Sequence, residues 1–145
     1  MAALSLAATT LLLSVPASAQ FAKPEDAIKY RQSGLFIMGQ HFTRLGAMAN
    51  GKVAFDAKQA QDNADIVLQM SHRPWGGFIA GSEGGNALPV VWSNKAKFDE
   101  RADQLQAATQ KLDAAAKTGN LDTLKTAFGD TARACKACHD DFRKK

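Results

Sequence analysis

Both cysteines of the 145-residue chain lie in a single motif, Cys135-Lys136-Ala137-Cys138-His139. On a helix, positions i, i+3 and i+4 share one face, so the two thiols and the imidazole point to the same side. Thiols at this spacing can form thioether bonds with the two vinyl groups of a haem, and the imidazole can then bind the iron as its proximal ligand. The motif therefore predicts one covalently attached haem c, with His139 as the axial metal ligand.

Other uses of the two cysteines fit the sequence less well. A redox-active disulfide is expected at the start of a helix that follows a strand, whereas this motif lies deep inside the last predicted helix. A structural zinc site needs a fourth ligand, and the remaining histidines, His41 and His72, are remote in sequence. Two cysteines are also too few for a scaffold held together by several disulfides.

The first nineteen residues differ in composition from the rest of the chain. They carry no charge, have a small apolar centre over residues 4–15, and end in Ala17-Ser18-Ala19, a pattern that signal peptidases cut. The Lys or Arg expected at the start of such a leader is missing. The segment is too short, and too mixed with Ser and Thr, for a membrane span. We therefore expect a cleaved signal peptide at 1–19 and a periplasmic domain at 20–145 that does not insert into the membrane.

The composition indicates one globular domain and excludes few functions by itself. Hydrophobic residues make up 46% and charged residues 22% of the sequence, which is typical of a folded soluble domain and not of a disordered chain. The formal net charge of +4 is modest and dispersed. It gives no reason to expect a nucleic-acid partner.

Apolar residues at helical spacing predict four helices. They are expected at Pro24 to about Asn50, Asp56 to about Arg73, Ser93 or Asn94 to Gly119, and Asn120 or Asp122 through Phe142. Residues 75–92 are rich in Gly and Pro, show no period and form an unusually long connection. No strand pattern competes. The predicted fold is all-α, an antiparallel four-helix bundle with a long crossover loop between helices two and three.

The inward face of the first helix offers several candidates for the side of the iron away from His139. Leu35 lies in the middle of its apolar stripe. Met38, one turn further on, could bind iron through sulfur, although most helical methionines are core residues. His41 could bind through nitrogen but lies off the stripe, as a surface or interface histidine would. Arg31 is a lone charge on the stripe, which needs a partner such as a haem propionate unless the side chain snorkels to water.

The chain resembles the cytochrome c prime family, the class II c-type cytochromes. The resemblance covers residues 20–145 and is carried by the position of the haem motif near the C-terminus, whereas class I cytochromes c have it near the N-terminus. It also includes residues 21–27 (FAKPEDA), Tyr30-Arg31-Gln32, the loop from Gly84-Gly85 through Pro89 to Trp92, and residues 128–145.

The resemblance implies a five-coordinate, high-spin iron that binds nitric oxide and carbon monoxide and binds oxygen poorly. Leu35 matches the bulky apolar residue that covers the distal side in that family. Arg143 is either a solvated arginine at the helix end or a hydrogen-bond donor on the proximal side, and the resemblance favours the proximal role. By the same resemblance Gln32 contacts the haem edge and the crossover loop approaches the propionates. Asn86 lies where some members carry Asp.

Two functional classes remain open on these grounds. The first is gas binding, meaning capture, storage or protection without a catalytic site. The second is electron transfer to a periplasmic redox partner, with Met38 on a six-coordinate, low-spin iron. A peroxidase is a distant third, because no distal His and Arg pair is evident, so we expect a protein that is not an enzyme. Tyr30, Ile37 and His41, off the core stripe, are expected to form a homodimer interface.

Overall fold

A computed structural model describes residues 20–145, and the predicted signal peptide lies outside these described residues. The described part of the chain contains five α-helices, which are α1 Pro24–Ala49, α2 Ala57–Ser71, α3 Val90–Ser93, α4 Lys95–Lys117 and α5 Leu121–Phe142. The four long helices form the bundle that the sequence predicts, with α1 packed on α2, α2 on α4, α4 on α5 and α5 on α1. None of the described helices combines the length and the apolar composition that a bilayer crossing requires.

Helix ends follow the capping residues read from the sequence. The carboxylate of Asp56 accepts a hydrogen bond from the Gln59 N–H at 2.9 Å at the start of α2, and Asn120 accepts one from the Thr123 N–H at 3.0 Å at the start of α5. Such caps satisfy N–H groups that have no partner inside the helix. Gly51 follows α1 with a φ of 67°, the left-handed conformation that favours glycine after a helix.

The crossover contains two short helices that its lack of period did not predict. A 3-10 helix covers Pro74–Gly77, and α3 covers Val90–Ser93. Both begin at or next to a proline, whose fixed φ suits the first turn of a helix. These turns make the crossover a compact wall beside α1 and not an open loop.

The core of the bundle consists of aliphatic side chains from all four long helices, including the fully buried Leu45, Val67, Leu112 and Leu124. Phe42 of α1 and Phe128 of α5 stack with ring centroids 4.4 Å apart. Gly46 makes this approach possible, because a Cβ at that position would lie 2.8 Å from the Phe128 ring. This aromatic pair therefore holds α1 and α5 together at one end.

Arg31 connects α1 to the crossover through a buried set of hydrogen bonds. Its Nη1 donates to the Gly77 carbonyl at 2.6 Å and to Ser82 Oγ at 2.9 Å. Its Nη2 donates to the carbonyls of Ser82 at 2.8 Å and Gly84 at 3.1 Å. The guanidinium carbon also lies 4.7 Å from the centroid of the Phe78 ring, within cation–π range. One side chain thereby anchors the crossover over a span of eight residues.

The burial of Arg31 excludes one of the two roles expected for this residue. The side chain is 2% exposed, so the alternative that it snorkels to water is wrong. Its charge is compensated by carbonyl oxygens of the crossover, which a sequence pattern with no period could not place. Contact between Arg31 and a haem propionate stays a prediction, and both terminal nitrogens already have loop partners.

We expect Arg31→Ala to lower the free energy of unfolding of the haem-loaded protein by about 3–5 kcal/mol, because it leaves buried carbonyls without donors. Guanidinium chloride unfolding followed by far-UV circular dichroism measures this loss. Arg44→Ala is the matched control, since Arg44 lies on the same helix but is exposed. A loss below about 1 kcal/mol for Arg31→Ala, no larger than that of the control, would show that the crossover does not depend on this residue.

Candidate functional site

A cavity of about 670 Å³ lies between α1, α4, α5 and the crossover. Its volume is within the range of about 300–1,000 Å³ that small-molecule and cofactor sites occupy. The structure brings every predicted site residue to its wall, namely Arg31, Gln32, Leu35, Asn86, Cys135, Cys138, His139 and Arg143. Residues more than a hundred positions apart in sequence therefore share one cavity.

The two thiols and the imidazole lie on the same face of α5, as the spacing predicts. Both cysteines are free and half-buried. Burial raises the pKa of both thiols, and raises that of Cys138 to about 11, with a further contribution from Cys135. The thiols therefore remain protonated near neutral pH in the haem-free protein.

The surroundings of His139 lower its pKa. Burial lowers its pKa, and the charge of Arg143 lowers it further, against a smaller opposing effect of Asp140. A neutral imidazole has a lone pair available for a metal, so the environment favours the form of His139 that can bind iron.

Part of the cavity wall is aromatic. Phe98 of α4 lies between Phe78 of the crossover and Phe142 of α5, with ring centroids 4.7 Å and 5.2 Å away. The indole N–H of Trp75 donates to the Ser71 carbonyl at 2.6 Å, so its ring lines the cavity without an unpaired donor. Trp75, Phe78 and Phe142 were not predicted as site residues. The sequence feature that could have indicated them is the cluster of aromatic residues in and around an otherwise irregular crossover.

The structure places the three distal-side candidates of α1 in different surroundings. Leu35 is half-buried and lines the cavity, and Met38 lines it while packing into the core of the bundle. His41 is not among the residues that line the cavity. Its Nδ1 lies 2.8 Å from Asn63 Oδ1 on α2. The structure therefore gives no support to His41 as an iron ligand.

The residues that follow α5 are fixed by the crossover. The Leu88 N–H donates to the Phe142 carbonyl and the Lys144 N–H donates to the Asn86 carbonyl, both at 2.9 Å. These bonds form an isolated antiparallel bridge between Ala87 and Arg143. Arg143 and Asn86 are thereby held next to each other at the edge of the cavity, which gives Arg143 a fixed position near His139.

Asp141 attaches the haem motif segment to α4. Its two carboxylate oxygens lie 3.1 Å from Lys97 Nζ and 3.1 Å from Arg101 Nε. Hydrogen bonds and charges of these two residues lower the pKa of Asp141, the Lys97 hydrogen bond most, while burial opposes the shift. The pair of cations therefore favours the ionised carboxylate and holds α5 in register with α4.

The zinc alternative gains no support from the structure. Within residues 20–145, no group of three or more His, Cys, Asp or Glu side chains is arranged to hold a metal ion. The motif therefore faces the large apolar cavity without the additional ligands that a closed tetrahedral site needs.

Comparison with known proteins identifies the family. The profile described as Cytochrome C′ matches residues 26–143. The chain is 48% identical over 126 residues to cytochrome c′ from Alcaligenes xylosoxydans xylosoxydans, which covers 87% of this chain and 99% of the relative. The chain belongs to the cytochrome c prime family.

Solved structures of cytochrome c prime agree with the fold. That of Rubrivivax gelatinosus superimposes with a TM-score of 0.83 at 48% identity, and covers 86% of this chain and all of the other. A nitric oxide complex of a variant of cytochrome c prime from Alcaligenes xylosoxidans gives the same TM-score at 46% identity, covering 87% of this chain and 99% of the other. The four-helix bundle predicted from the sequence is confirmed.

Membership of the cytochrome c prime family means that the protein carries one covalently attached haem c. The cavity fits this group, because an aromatic and aliphatic wall faces two thiols and an imidazole on a single helix. Cys135, Cys138 and His139 would hold the haem there, and its large flat body would fill the cavity.

We expect Asp141→Asn to lower the thermal midpoint of the haem-loaded protein at pH 7. A carboxylate with a lowered folded-state pKa stabilises the fold above its unfolded pKa of about 3.8, and that contribution disappears as the pH falls through the lower folded value. The difference in midpoint between variant and parent should therefore be larger at pH 7 than near pH 3. Asp140→Asn is the control, since the partner of Asp140 in the described part of the chain is Lys136 on its own helix. Equal midpoints for the two variants at pH 7 would contradict this role of Asp141.

Proposed function

We propose that the protein is a periplasmic gas-binding haem protein, whose five-coordinate, high-spin iron binds nitric oxide and carbon monoxide for capture, storage or protection. The observation that carries the proposal is the composition of the α1 side of the cavity. It presents the side chain of Leu35 and directs the imidazole of His41 away to Asn63. No strong nitrogen ligand of α1 therefore faces the cavity.

Five residues hold the haem in this proposal. Cys135 and Cys138 carry the two thioether bonds, and His139 is the axial ligand, which its lowered pKa supports. Gln32 and Asn86, which line the mouth of the cavity, contact the haem edge. When bound, the haem supplies an iron that binds diatomic gases.

The residues around the iron determine which gases bind well. Leu35 crowds the distal side and offers no hydrogen bond, which disfavours oxygen because bound oxygen is polar and is stabilised by donors. Arg143 is held beside His139 by the bridge to Ala87 and can donate hydrogen bonds on the proximal side. Nitric oxide complexes of variants of the Alcaligenes relative support this ligand for the present chain.

Electron transfer is the second candidate, and one observation favours it. Met38 is buried yet lines the cavity, so its thioether sulfur is a candidate sixth ligand of a low-spin iron. Its packing in the core beside Leu45 supports the simpler role of a core residue. In either case the protein is a binding or electron-transfer protein and not an enzyme.

We expect Leu35→Ala to increase the rate of carbon monoxide binding to the ferrous protein by at least about tenfold, because it removes the side chain that crowds the distal side. Flash photolysis or stopped-flow mixing measures the rate. Met38→Leu is the matched control on the same helix and should leave the rate within about twofold. An unchanged rate for Leu35→Ala would show that another residue guards the iron.

A homodimer through α1 forms part of this proposal. Tyr30 and Ile37 are 36% and 41% exposed, and they line an apolar groove of about 580 Å³ together with Phe21 and Met70. The expected contribution of His41 is less direct, because its ring is half-buried against Asn63. Exposed apolar side chains around one groove are typical of an interface between subunits.

Sedimentation tests the dimer. At micromolar concentration we expect the parent protein to sediment as a dimer and Ile37→Glu as a monomer, because a charge in an apolar interface is costly to desolvate. Val53→Glu, at another exposed apolar position outside the groove, should remain dimeric. A monomeric parent protein would refute the interface.

A further inference from the structure

The turn that follows α1 contains the dipeptide Asn50-Gly51. Both residues are exposed, and neither is among the residues that line the haem cavity. The other asparagines of the sequence precede Ala, Lys or Leu, so Asn50 alone is followed by glycine. An asparagine before glycine is prone to deamidation, because a residue without a Cβ leaves its main-chain nitrogen open to the neighbouring side chain.

The cap of α1 holds the two reacting atoms apart. Asn50 has a ψ of 7°, at which the Gly51 nitrogen points away from the Asn50 side chain. The Gly51 N–H donates to the Met48 carbonyl at 3.1 Å, and Asn50 Nδ2 donates to the Gly46 carbonyl at 2.9 Å. Both hydrogen bonds belong to the last turn of the helix, which is the part that frays most easily. Opening this one turn therefore lets the atoms meet, whereas the closed cap slows the reaction.

The turn also has room for the reaction. Within residues 20–145, and apart from its chain neighbours, no atom lies within 4 Å of the place that a Cβ on Gly51 would occupy. The φ of Gly51 is 67°, a conformation that glycine adopts without strain. A cyclic imide between the two residues therefore meets no packed neighbour.

We propose that Asn50 is a modification site, at which the side chain deamidates whenever the last turn of α1 opens. The Gly51 nitrogen forms a bond to Asn50 Cγ, and the side-chain nitrogen leaves as ammonia together with the proton of the Gly51 N–H. Water then opens the cyclic imide at either carbonyl, which gives aspartate or isoaspartate. The reaction needs no reagent besides water, and the inference does not depend on gas binding.

The products fit the end of α1 less well than asparagine does. A carboxylate cannot donate to the Gly46 carbonyl, and it places a negative charge at the negative end of the helix dipole. The last turn of α1 has no basic residue to offset this charge. Isoaspartate also lengthens the main chain just before the N–H groups of Lys52 and Val53, which donate to the Ala47 carbonyl. The modification therefore loosens the end of α1 at which Gly46 packs against Phe128.

Peptide mapping by mass spectrometry tests the site in the haem-loaded protein. After incubation at mildly alkaline pH we expect Asn50 to convert at least about tenfold faster than the other asparagines, since these precede residues with a Cβ. Labelling by an isoaspartate methyltransferase identifies the isoaspartate product. In guanidinium chloride the conversion should be faster still, because the unfolded chain has no cap. Conversion at Asn50 no faster than at the other asparagines, or equally fast in folded and unfolded protein, would overturn the inference.

The effect on stability is measured with a variant that carries one of the products. Asn50→Asp should lower the thermal midpoint of the haem-loaded protein by about 3–6 °C, because it removes a hydrogen bond and adds an unfavourable charge. Asn120→Asp makes the same chemical change at the start of α5, where the side chain accepts from the Thr123 N–H and the helix dipole favours a carboxylate. This control should not lower the midpoint.

Ageing connects the modification to the loss of stability. Incubation should lower the midpoint of the parent protein in step with the conversion of Asn50 and should leave the midpoint of Asn50→Gln constant. The haem absorbance spectrum, compared among all variants, shows that each is equally loaded. Equal midpoints for Asn50→Asp and Asn120→Asp, or a converted parent protein that keeps its midpoint, would contradict the proposed loosening of α1.

Discussion

A buried guanidinium surrounded by carbonyl oxygens is the interaction on which the site depends. Arg31 projects from α1 and donates to Gly77, Ser82 and Gly84. The approach is so close that a Cβ at Gly77 would lie 2.7 Å from the Ala27 carbonyl. Desolvating this charge is expensive, and only a crossover folded with several carbonyls inward compensates it. The crossover in turn supplies two aromatic residues of the cavity wall, Trp75 and Phe78, and the backbone that positions Arg143.

The site is accordingly assembled from two kinds of constraint. Helical periodicity places Cys135, Cys138 and His139 on one face of α5, and it places Leu35 on the facing side of the cavity. Hydrogen bonds between irregular segments do the rest, because the crossover bonds both Arg31 and the residues after α5. The first kind of constraint determines which groups can hold a haem. The second determines how the crossover and Arg143 are placed around the cavity.

These two kinds of constraint also explain which features could be predicted from the sequence. The four helices, their caps and the haem-binding face follow from local spacing, and all eight predicted site residues line one cavity. The partners of Arg31 could not be predicted, since they are backbone atoms in a segment without period. That His41 lies outside the cavity and beside Asn63 of another helix could not be predicted either.

The central claim is that no side chain of α1 binds the iron of the haem-loaded protein. Optical and EPR spectra of the purified ferric protein at pH 7 test this most directly, with Met38→Leu beside the parent. The account predicts a high-spin, five-coordinate signal that is the same in both proteins. A low-spin signal in the parent that Met38→Leu converts to high spin would contradict it and would show that Met38 binds the iron.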